Sequence, residues 1–232
     1  MSTQAGGTDT LGELATHRPG AAELFERLQL DYCCGGDLSL RDACDQRELE
    51  LGKVLELIAA AAPSDAASPA DDLRGLSIGE LCEHIVVTHH GPLRVALARL
   101  TKLLATVSRV HGADQPDLHD LERTFLALRA EVEEHLLLEE RTLFPACATL
   151  DGGQARPGPD DELLAHLRDD HQAVGAGLGR LHELGGAWDD SRARCATHRE
   201  LLRGLGTFER DMHRHIHEEN NILFPRVLAQ VG

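Results

Sequence analysis

The sequence is poor in basic side chains and has no long apolar run. Its 232 residues include 23 Lys and Arg against 39 Asp and Glu, which gives a net charge of −16. This balance argues against a general nucleic-acid binder, because phosphate contacts need a Lys- and Arg-rich surface. No run approaches the ~20 apolar residues that span a bilayer, and the N-terminus lacks the basic and then apolar pattern of a signal peptide. We therefore expect a cytoplasmic protein with neither nucleic acid nor membrane as a partner.

Aromatic residues and cysteines are also scarce. Aromatic side chains make up 3% of the chain and hydrophobic residues 42%, so the core must be built mostly from Leu, Val and Ala. Six scattered cysteines indicate reduced thiols rather than a disulfide framework. They are Cys33, Cys34, Cys44, Cys82, Cys147 and Cys195. Histidine, by contrast, occurs 14 times and needs an explanation.

Small residues, proline and glycine are concentrated in two stretches. The first, residues 62–72 (APSDAASPADD), separates two regions of helical pattern and predicts an interdomain linker. The second, residues 151–161 (DGGQARPGPDD), lies between two strongly periodic helices, which indicates a connection inside the second domain. We therefore predict a small helical domain with a Cys-Cys motif over residues 1–62, a linker over 63–73 and a helical bundle over 74–232.

The second domain contains four segments with apolar residues at helical spacing. The first opens with Ser77 and Glu80 in capping-box spacing and runs towards Val110, with a kink expected at Gly91-Pro92. The other stripes are Leu118, Leu121, Phe125, Leu128 and Val132; then Leu164, Leu167, Val174, Leu178 and Leu181; then Leu201, Leu205, Phe208 and Met212. This pattern predicts an all-α fold, an antiparallel four-helix bundle preceded by the small helical domain.

Polar residues interrupt three of these apolar stripes. The second stripe continues into His135 and Glu139, the fourth into His215 and Glu219, and the third contains His171. A carboxylate on a core-facing stripe is costly unless it is paired or coordinates a metal. Two such carboxylates, each one turn beyond a histidine, indicate a metal site.

The two His-x-x-x-Glu segments are copies of one another. HLLLEERTLFPAC starts at His135 and HIHEENNILFPRV starts at His215, an offset of 80 residues, and His90 and His171 are related by an offset of 81. The bundle therefore resembles a duplicated helical hairpin, each half with a lone His and a His-x-x-x-Glu pair. Residues at i and i+4 share one helix face, so both can reach a central site. Four imidazoles and two carboxylates suit iron or manganese better than a structural zinc.

The first helix offers two adjacent histidines as the lone ligand. On a regular helix His89 lies nearest the centre of the stripe through Leu81, Ile85 and Ala96, with His90 on its flank. The duplication offset favours His90 instead. From the residues alone both assignments stay open.

The other histidines are not expected to bind the metal. His84 is expected in the core or beside a ligand, and His111 is too far along the helix from His90. The remaining ones are expected on the surface: His17, His119, His166, His182, His198, His213 and His217.

These motifs, together with the start of the chain, resemble the repair-of-iron-centres family of the RIC or ScdA type. The resemblance covers nearly the whole chain: LGEL at Leu11, DYCCGG over 31–36, EHIVVTHH over 83–90, HLLLEERTLFP and HIHEENNILFPR. It implies a hemerythrin-like bundle that holds two non-haem iron ions joined by an oxo or hydroxo bridge. The implied ligands are His90, His135, His171 and His215, with Glu139 and Glu219 bridging the irons.

The adjacent cysteines Cys33 and Cys34 have a structural and a functional interpretation. Neighbouring cysteines cannot easily form a relaxed disulfide, and their position before Gly35 and Gly36 predicts a loop that exposes the pair. They could simply be small buried residues of the N-terminal domain. The resemblance favours a functional role, in which the thiols act near the di-iron site or on an iron-containing client.

The resemblance implies that the protein repairs iron-sulfur clusters damaged by nitrosative or oxidative stress, by supplying iron. Its partners would then be damaged iron-sulfur proteins, with NO or O2 as small ligands, and a homodimer is compatible with the sequence. Two alternatives use the same centre: a nitric oxide reductase that forms nitrous oxide, and a sensor or carrier of O2 or NO. Whether the protein is an enzyme is therefore open at this point.

Overall fold

The computed structural model describes residues 5–18, 20–61, 73–151 and 158–231. This part of the chain is helical, and its only extended pairing is an isolated antiparallel bridge between Thr10 and Ser39. No helix within it is long and apolar enough to cross a membrane.

Four short helices form the N-terminal domain: α1 (Leu11–His17), α2 (Ala21–Leu28), α3 (Leu40–Gln46) and α4 (Leu51–Ala60). Thr10 and Glu13 form a capping box at the start of α1, and the Ser39 side chain caps α3. Their apolar faces enclose a small core around Phe25 and Tyr32. The predicted linker, residues 63–73, falls almost wholly outside the described residues.

The described part of the C-terminal domain contains four long helices and three short ones. The long helices are α6 (Gly91–His111), α7 (Asp117–Leu138), α9 (Asp161–Leu184) and α10 (Ala196–Glu218), and the short ones are α5 (Ile78–Ile85), α8 (Phe144–Cys147) and α11 (Phe224–Val231). Helix α6 packs against α7 and α10, and α9 packs against α7 and α10. The predicted four-helix bundle is confirmed, and the capping box of Ser77 and Glu80 begins α5 as predicted.

Three π-helical turns join consecutive helices in the described part of the bundle: Val86–His90 between α5 and α6, Glu139–Leu143 between α7 and α8, and Glu219–Leu223 between α10 and α11. A proline follows each turn, in the pairs Gly91-Pro92, Phe144-Pro145 and Phe224-Pro225. Proline cannot donate to the carbonyl four residues earlier, and its ring clashes with that carbonyl, so a wider turn relieves the conflict. The expected kink at Gly91-Pro92 therefore takes the form of a π-helical turn.

The bundle core consists of two apolar clusters. One is built around residues such as Leu97, Phe125 and Phe208, and the other around Leu81 and Leu223. Helices α6, α7 and α10 contribute buried apolar residues to the first cluster, α5, α8 and α11 contribute theirs to the second, and α9 contributes to both. Between the clusters lies a layer of buried histidines and glutamates. The three π-helical turns all border this layer, which is where the candidate site lies.

Candidate metal centre

The six predicted ligands lie together in the polar layer of the bundle. His90 ends the first π-helical turn, His171 lies in the middle of α9, and each His-x-x-x-Glu pair spans the junction of a long helix with a π-helical turn. Each of the six is at most 3% exposed. Charged and polar groups buried this deeply need hydrogen-bond partners or groups of opposite charge.

The six residues form two groups that share both glutamates. In the first group, His90 Nε2 lies 3.4 Å from Glu139 Oε2, and His215 Nε2 lies 3.1 Å from Glu219 Oε1. In the second, His135 Nε2 lies 3.2 Å from Glu139 Oε1.

The remaining contact of the second group joins His171 Nε2 to Glu219 Oε2 at 3.1 Å. Each glutamate therefore presents one oxygen to each histidine pair. Within each group the potential ligand atoms lie within 4.8 Å of one another, a spacing that a single cation could bridge.

The glutamate oxygens fit a site for cations. Among the described residues, none of the four carboxylate oxygens of Glu139 and Glu219 has a hydrogen-bond partner, although all four are buried. Two buried carboxylates without hydrogen bonds would be strongly destabilising unless positive charge lies between them. Metal cations between the carboxylates and the four imidazoles would satisfy every one of these oxygens.

Three of the histidines contact polar side chains through Nδ1, their outer nitrogen, which faces away from the centre. His90 Nδ1 lies 2.8 Å from Glu140 Oε1, His135 Nδ1 lies 3.4 Å from Asp170 Oδ2, and His171 Nδ1 lies 2.9 Å from Asn220 Oδ1. Such partners fix the ring orientation and favour a proton on Nδ1, which leaves the Nε2 lone pair directed at the centre.

Glu140, which contacts His90 Nδ1, also forms an ion pair with Arg94. Arg94 donates to the same Glu140 oxygen at 2.8 Å. Burial opposes ionisation of Glu140, but the hydrogen bonds from Arg94 and His90 lower the pKa of its carboxyl. Glu140 is therefore an anionic acceptor at neutral pH.

In the absence of metal, protons supply the positive charge that the centre requires. Burial opposes protonation of His135, but the charges of Glu139 and Glu219 raise its pKa to about 9. His90 shows the same balance, and the pKa of His90 is also raised. A cation that binds here must displace such protons, so its affinity falls as the pH is lowered.

The structure distinguishes between the two adjacent histidines of the first helix. His90 faces the centre, whereas His89 Nε2 lies 3.1 Å from Glu218 Oε2 instead. A regular helix would place His89 nearest the centre of the stripe, but both histidines lie on the π-helical turn Val86–His90, whose wider turn changes the face that each occupies. The duplication offset pointed to the residue that lies in the group.

The structure corrects the expectation that the cysteine pair is exposed. Cys33 and Cys34 do lie on a loop, but Cys33 is only 5% exposed and packs into the bundle core. Cys34 is half-buried, and its thiol donates to the carbonyl oxygen of His171 at 3.4 Å. The Cys34 contact and burial raise the pKa of the Cys33 thiol well above its usual value, so this thiol is protonated. Docking of the N-terminal domain on the bundle is the reason for this burial.

Sequence reasoning missed two asparagines that connect the domains. Asn220, whose Oδ1 meets His171, donates through Nδ2 to the carbonyl of Cys33 at 3.2 Å. Asn221 donates to the carbonyls of Tyr32 and Cys33 at 3.3 and 3.1 Å. The pair lies within the motif HIHEENNILFP. Polar residues among apolar ones in this motif were the sequence signal that could have identified the two asparagines.

Two histidines assigned to the surface are buried. His198 is 4% exposed, and His217 is 7% exposed because the N-terminal domain covers it. The ring of His217 lies 5.3 Å from that of Tyr32, centroid to centroid. Single-helix periodicity could not predict the burial of His217, since its covering surface comes from another domain.

Comparison with known proteins matches both halves of the chain. Residues 7–62 match ScdA_N, a domain described as of unknown function, and residues 81–227 match the hemerythrin HHE cation binding domain. The second match includes all six residues of the centre.

Curated relatives match over nearly the full length. The iron-sulfur cluster repair protein YtfE of Pectobacterium atrosepticum is 35% identical over 222 residues, which cover 94% of this chain and 96% of the relative. Proteins of the same name from Musicola paradisiaca and Escherichia coli O17:K52:H18 are each 33% identical, with the same coverage of both chains.

Proposed function

The chain belongs to the hemerythrin-domain iron-sulfur cluster repair proteins, and on that premise we propose that it repairs iron-sulfur clusters damaged by nitrosative or oxidative stress by supplying iron to them. The relatives that carry this name align with 94% of the chain, including the N-terminal domain. The name that these relatives share favours repair over the two alternatives, and a simple carrier of O2 or NO would not need that domain. Because the six cysteines are free thiols, we propose the cytoplasm as the compartment.

The proposed cofactor is a pair of non-haem iron ions. His90 and His215 would hold one, His135 and His171 the other, and Glu139 and Glu219 would bridge them. The observation that carries this assignment is that each glutamate offers one oxygen to each histidine pair while none of the four oxygens has a hydrogen bond among the described residues.

The donor set favours iron over a structural zinc ion. Two imidazoles and two carboxylate oxygens per metal, with no thiolate, suit iron or manganese, and structural zinc sites commonly use cysteine. Four protein donors per iron leave room for an oxo or hydroxo bridge and for NO or O2. They also hold each iron with fewer bonds than a fully ligated site, as an iron donor requires.

We propose that Cys34 is the thiol that takes part in repair. Both cysteines border a cleft of about 580 Å³ between the two domains, but Cys33 is only 5% exposed and packs into the bundle core, whereas Cys34 is half-buried. Three arginines and two carboxylates also line this cleft: Arg74, Arg168, Arg226, Glu13 and Asp37. In a protein of net charge −16, a cleft with more arginines than carboxylates is a distinctive surface for an acidic client. Cys34 then lies between that client and His171 of the centre.

Transfer of isotopically labelled iron tests the proposal directly. Protein loaded with 57Fe is mixed with a purified client whose cluster has been damaged, and client activity and the 57Fe in the client are measured. We expect activity and label to rise together. Replacing Glu139 by Leu should abolish both, whereas Glu133→Leu, on the exposed side of the same helix, should abolish neither.

A parallel sample supplied with NO separates the alternative. If nitrous oxide forms while the client gains neither label nor activity, the chain is a nitric oxide reductase and not an iron donor. The variant Cys34→Ser should keep its iron and lose client reactivation, and Cys33→Ser should change reactivation less. Unchanged reactivation in the double variant would assign the pair a structural role only.

A further inference from the structure

Three metal-ligating side chains meet beside the candidate centre and are not part of it. His84 lies at the end of α5, His89 lies on the following π-helical turn, and Glu218 is the last residue of α10. The Nε2 atoms of His84 and His89 approach the same carboxylate oxygen, Oε2 of Glu218, at 3.3 and 3.1 Å. All three potential ligand atoms lie within 4.8 Å of one another.

The inner part of this group is buried and lacks hydrogen bonds. His89 is 6% exposed, and among the described residues neither its Nε2 nor Oε2 of Glu218 has a hydrogen-bond partner, although the two atoms are 3.1 Å apart. Two imidazole nitrogens that converge on one buried carboxylate oxygen form a set of donor atoms that a cation could share.

A second His–Glu contact in the bundle shows what an ordinary ion pair looks like. His182 Nδ1 lies 3.1 Å from both oxygens of Glu209, and Trp188 Nε1 donates to one of them at 2.6 Å. That carboxylate is fully satisfied by neighbouring donors and has a single histidine beside it. Glu218, by contrast, has two imidazoles on one oxygen that lacks a hydrogen bond.

We propose that His84, His89 and Glu218 form a third metal site, which binds one Fe²⁺ beside the di-iron centre. Two imidazoles and one carboxylate with open positions are the ligand set of mononuclear non-haem Fe(II) sites, and of catalytic zinc sites. The side chains of His84 and Glu218 are 23% and 14% exposed, so water can complete the coordination from the solvent side. The acidic protein as a whole attracts cations to it.

The third site is coupled to the centre through its buried ligand. The ring of His89 stacks on that of His215, with centroids 5.5 Å apart and planes at 26°, and Glu218 directly precedes the bridging Glu219. An ion at this position is exchangeable with solvent on one side and adjoins the centre on the other. The role of this site in loading or releasing iron rests on the proposed function. The binding of a metal ion there does not.

Metal counting tests the site. Protein with a filled di-iron centre is dialysed without oxygen against Fe²⁺, and bound iron is counted at each concentration. We expect two tightly held ions and a third, weaker one in the wild type. His84→Ala, Glu218→Gln and His89→Phe should each weaken only the third, by more than about 100-fold, since even a lost supporting hydrogen bond weakens metal binding about 10- to 100-fold.

The variants are matched to the geometry of the site. Phe at position 89 keeps a flat ring on His215 while it removes the ligand nitrogen, and Gln at position 218 keeps the shape of the side chain. Glu209→Gln, which disrupts the ordinary ion pair with His182, is the control and should retain three ions. Co²⁺ added to the iron-loaded protein supplies a second signal, because its visible ligand-field bands should appear in the wild type and be lost in the three variants.

The outcomes separate this inference from the proposed function. A wild type that stops at two irons and shows no Co²⁺ bands overturns the third site and leaves the centre intact. A third ion that persists in all three variants overturns it too, because the ion then lies elsewhere. A wild type without two tight irons refutes the di-iron proposal instead. In that case Co²⁺ titration of the Glu139→Leu protein, with and without Glu218→Gln, still decides whether the triad binds metal.

Discussion

Replacing Asn221 by Ala should weaken the docking of the N-terminal domain on the bundle. The Asn221 amide donates to the carbonyls of Tyr32 and Cys33 at 3.3 and 3.1 Å. Its side chain also occupies the space beside Gly12 and Gly36, where an added Cβ would collide with it. The contact therefore depends on a polar side chain from the bundle and two glycines from the N-terminal domain.

The size of the effect follows from what remains after the substitution. Asn220 still donates to the Cys33 carbonyl at 3.2 Å, and His217 still lies 3.3 Å from the Tyr32 carbonyl, so neither acceptor is left without a partner. The loss is then two net hydrogen bonds, about 1–3 kcal/mol. Docking should weaken by roughly 5- to 150-fold.

Alkylation of Cys33 measures docking, because this thiol is only 5% exposed and packs into the bundle core, so it should react faster when the domains separate. Its rate should rise in Asn221→Ala by the same roughly 5- to 150-fold. Gly36→Ala should act in the same direction by displacing the Asn221 side chain. The control is Arg214→Ala, which removes an exposed ion pair to Glu23 across the same interface and should cost less than about 1 kcal/mol.

Equal Cys33 alkylation rates in Asn221→Ala and the wild type would contradict this prediction, as would an equal rise in Arg214→Ala. Either result would mean that the domains are held together by contacts other than the asparagine.

Three further predictions concern the centre and the stability of the bundle. Glu139→Leu should remove the paired metal site while the chain stays folded, since a buried charge is exchanged for an apolar residue of similar bulk; iron analysis with circular dichroism checks both. Asn220→Ala should lower iron affinity about 10- to 100-fold by releasing the outer nitrogen of His171, as competition with a chelator would show. Asp151→Ala should cost about 0.3–1 kcal/mol at pH 7, because the backbone N–H groups of Gly79 and Ile78 lower the pKa of the Asp151 carboxyl. Denaturation series at several pH values should show this cost vanish as the pH falls through the lowered pKa, where the wild-type carboxyl becomes protonated.

Local periodicity was sufficient to predict the bundle and to place five of the six central residues on core-facing stripes: His135, Glu139, His171, His215 and Glu219. A helix places residues three and four apart on one face whatever its neighbours are, so His135 with Glu139 and His215 with Glu219 could be assigned to the core side. The repeat offset then identified His90 and His171 as equivalent positions in the two halves of the bundle. These inferences needed only the regular geometry of one helix and its copy.

The tertiary structure decided what depends on irregular turns and on contacts between distant segments. The choice between His89 and His90 depended on a π-helical turn, which holds more residues than a regular turn and so shifts the face that each residue occupies. The burial of Cys33 and His217 depended on how one domain covers another. The meeting of His84 and His89 with Glu218 joins residues more than a hundred positions apart. Such proximity is created by packing, because spacing along the chain specifies which face a residue occupies but not what that face will meet.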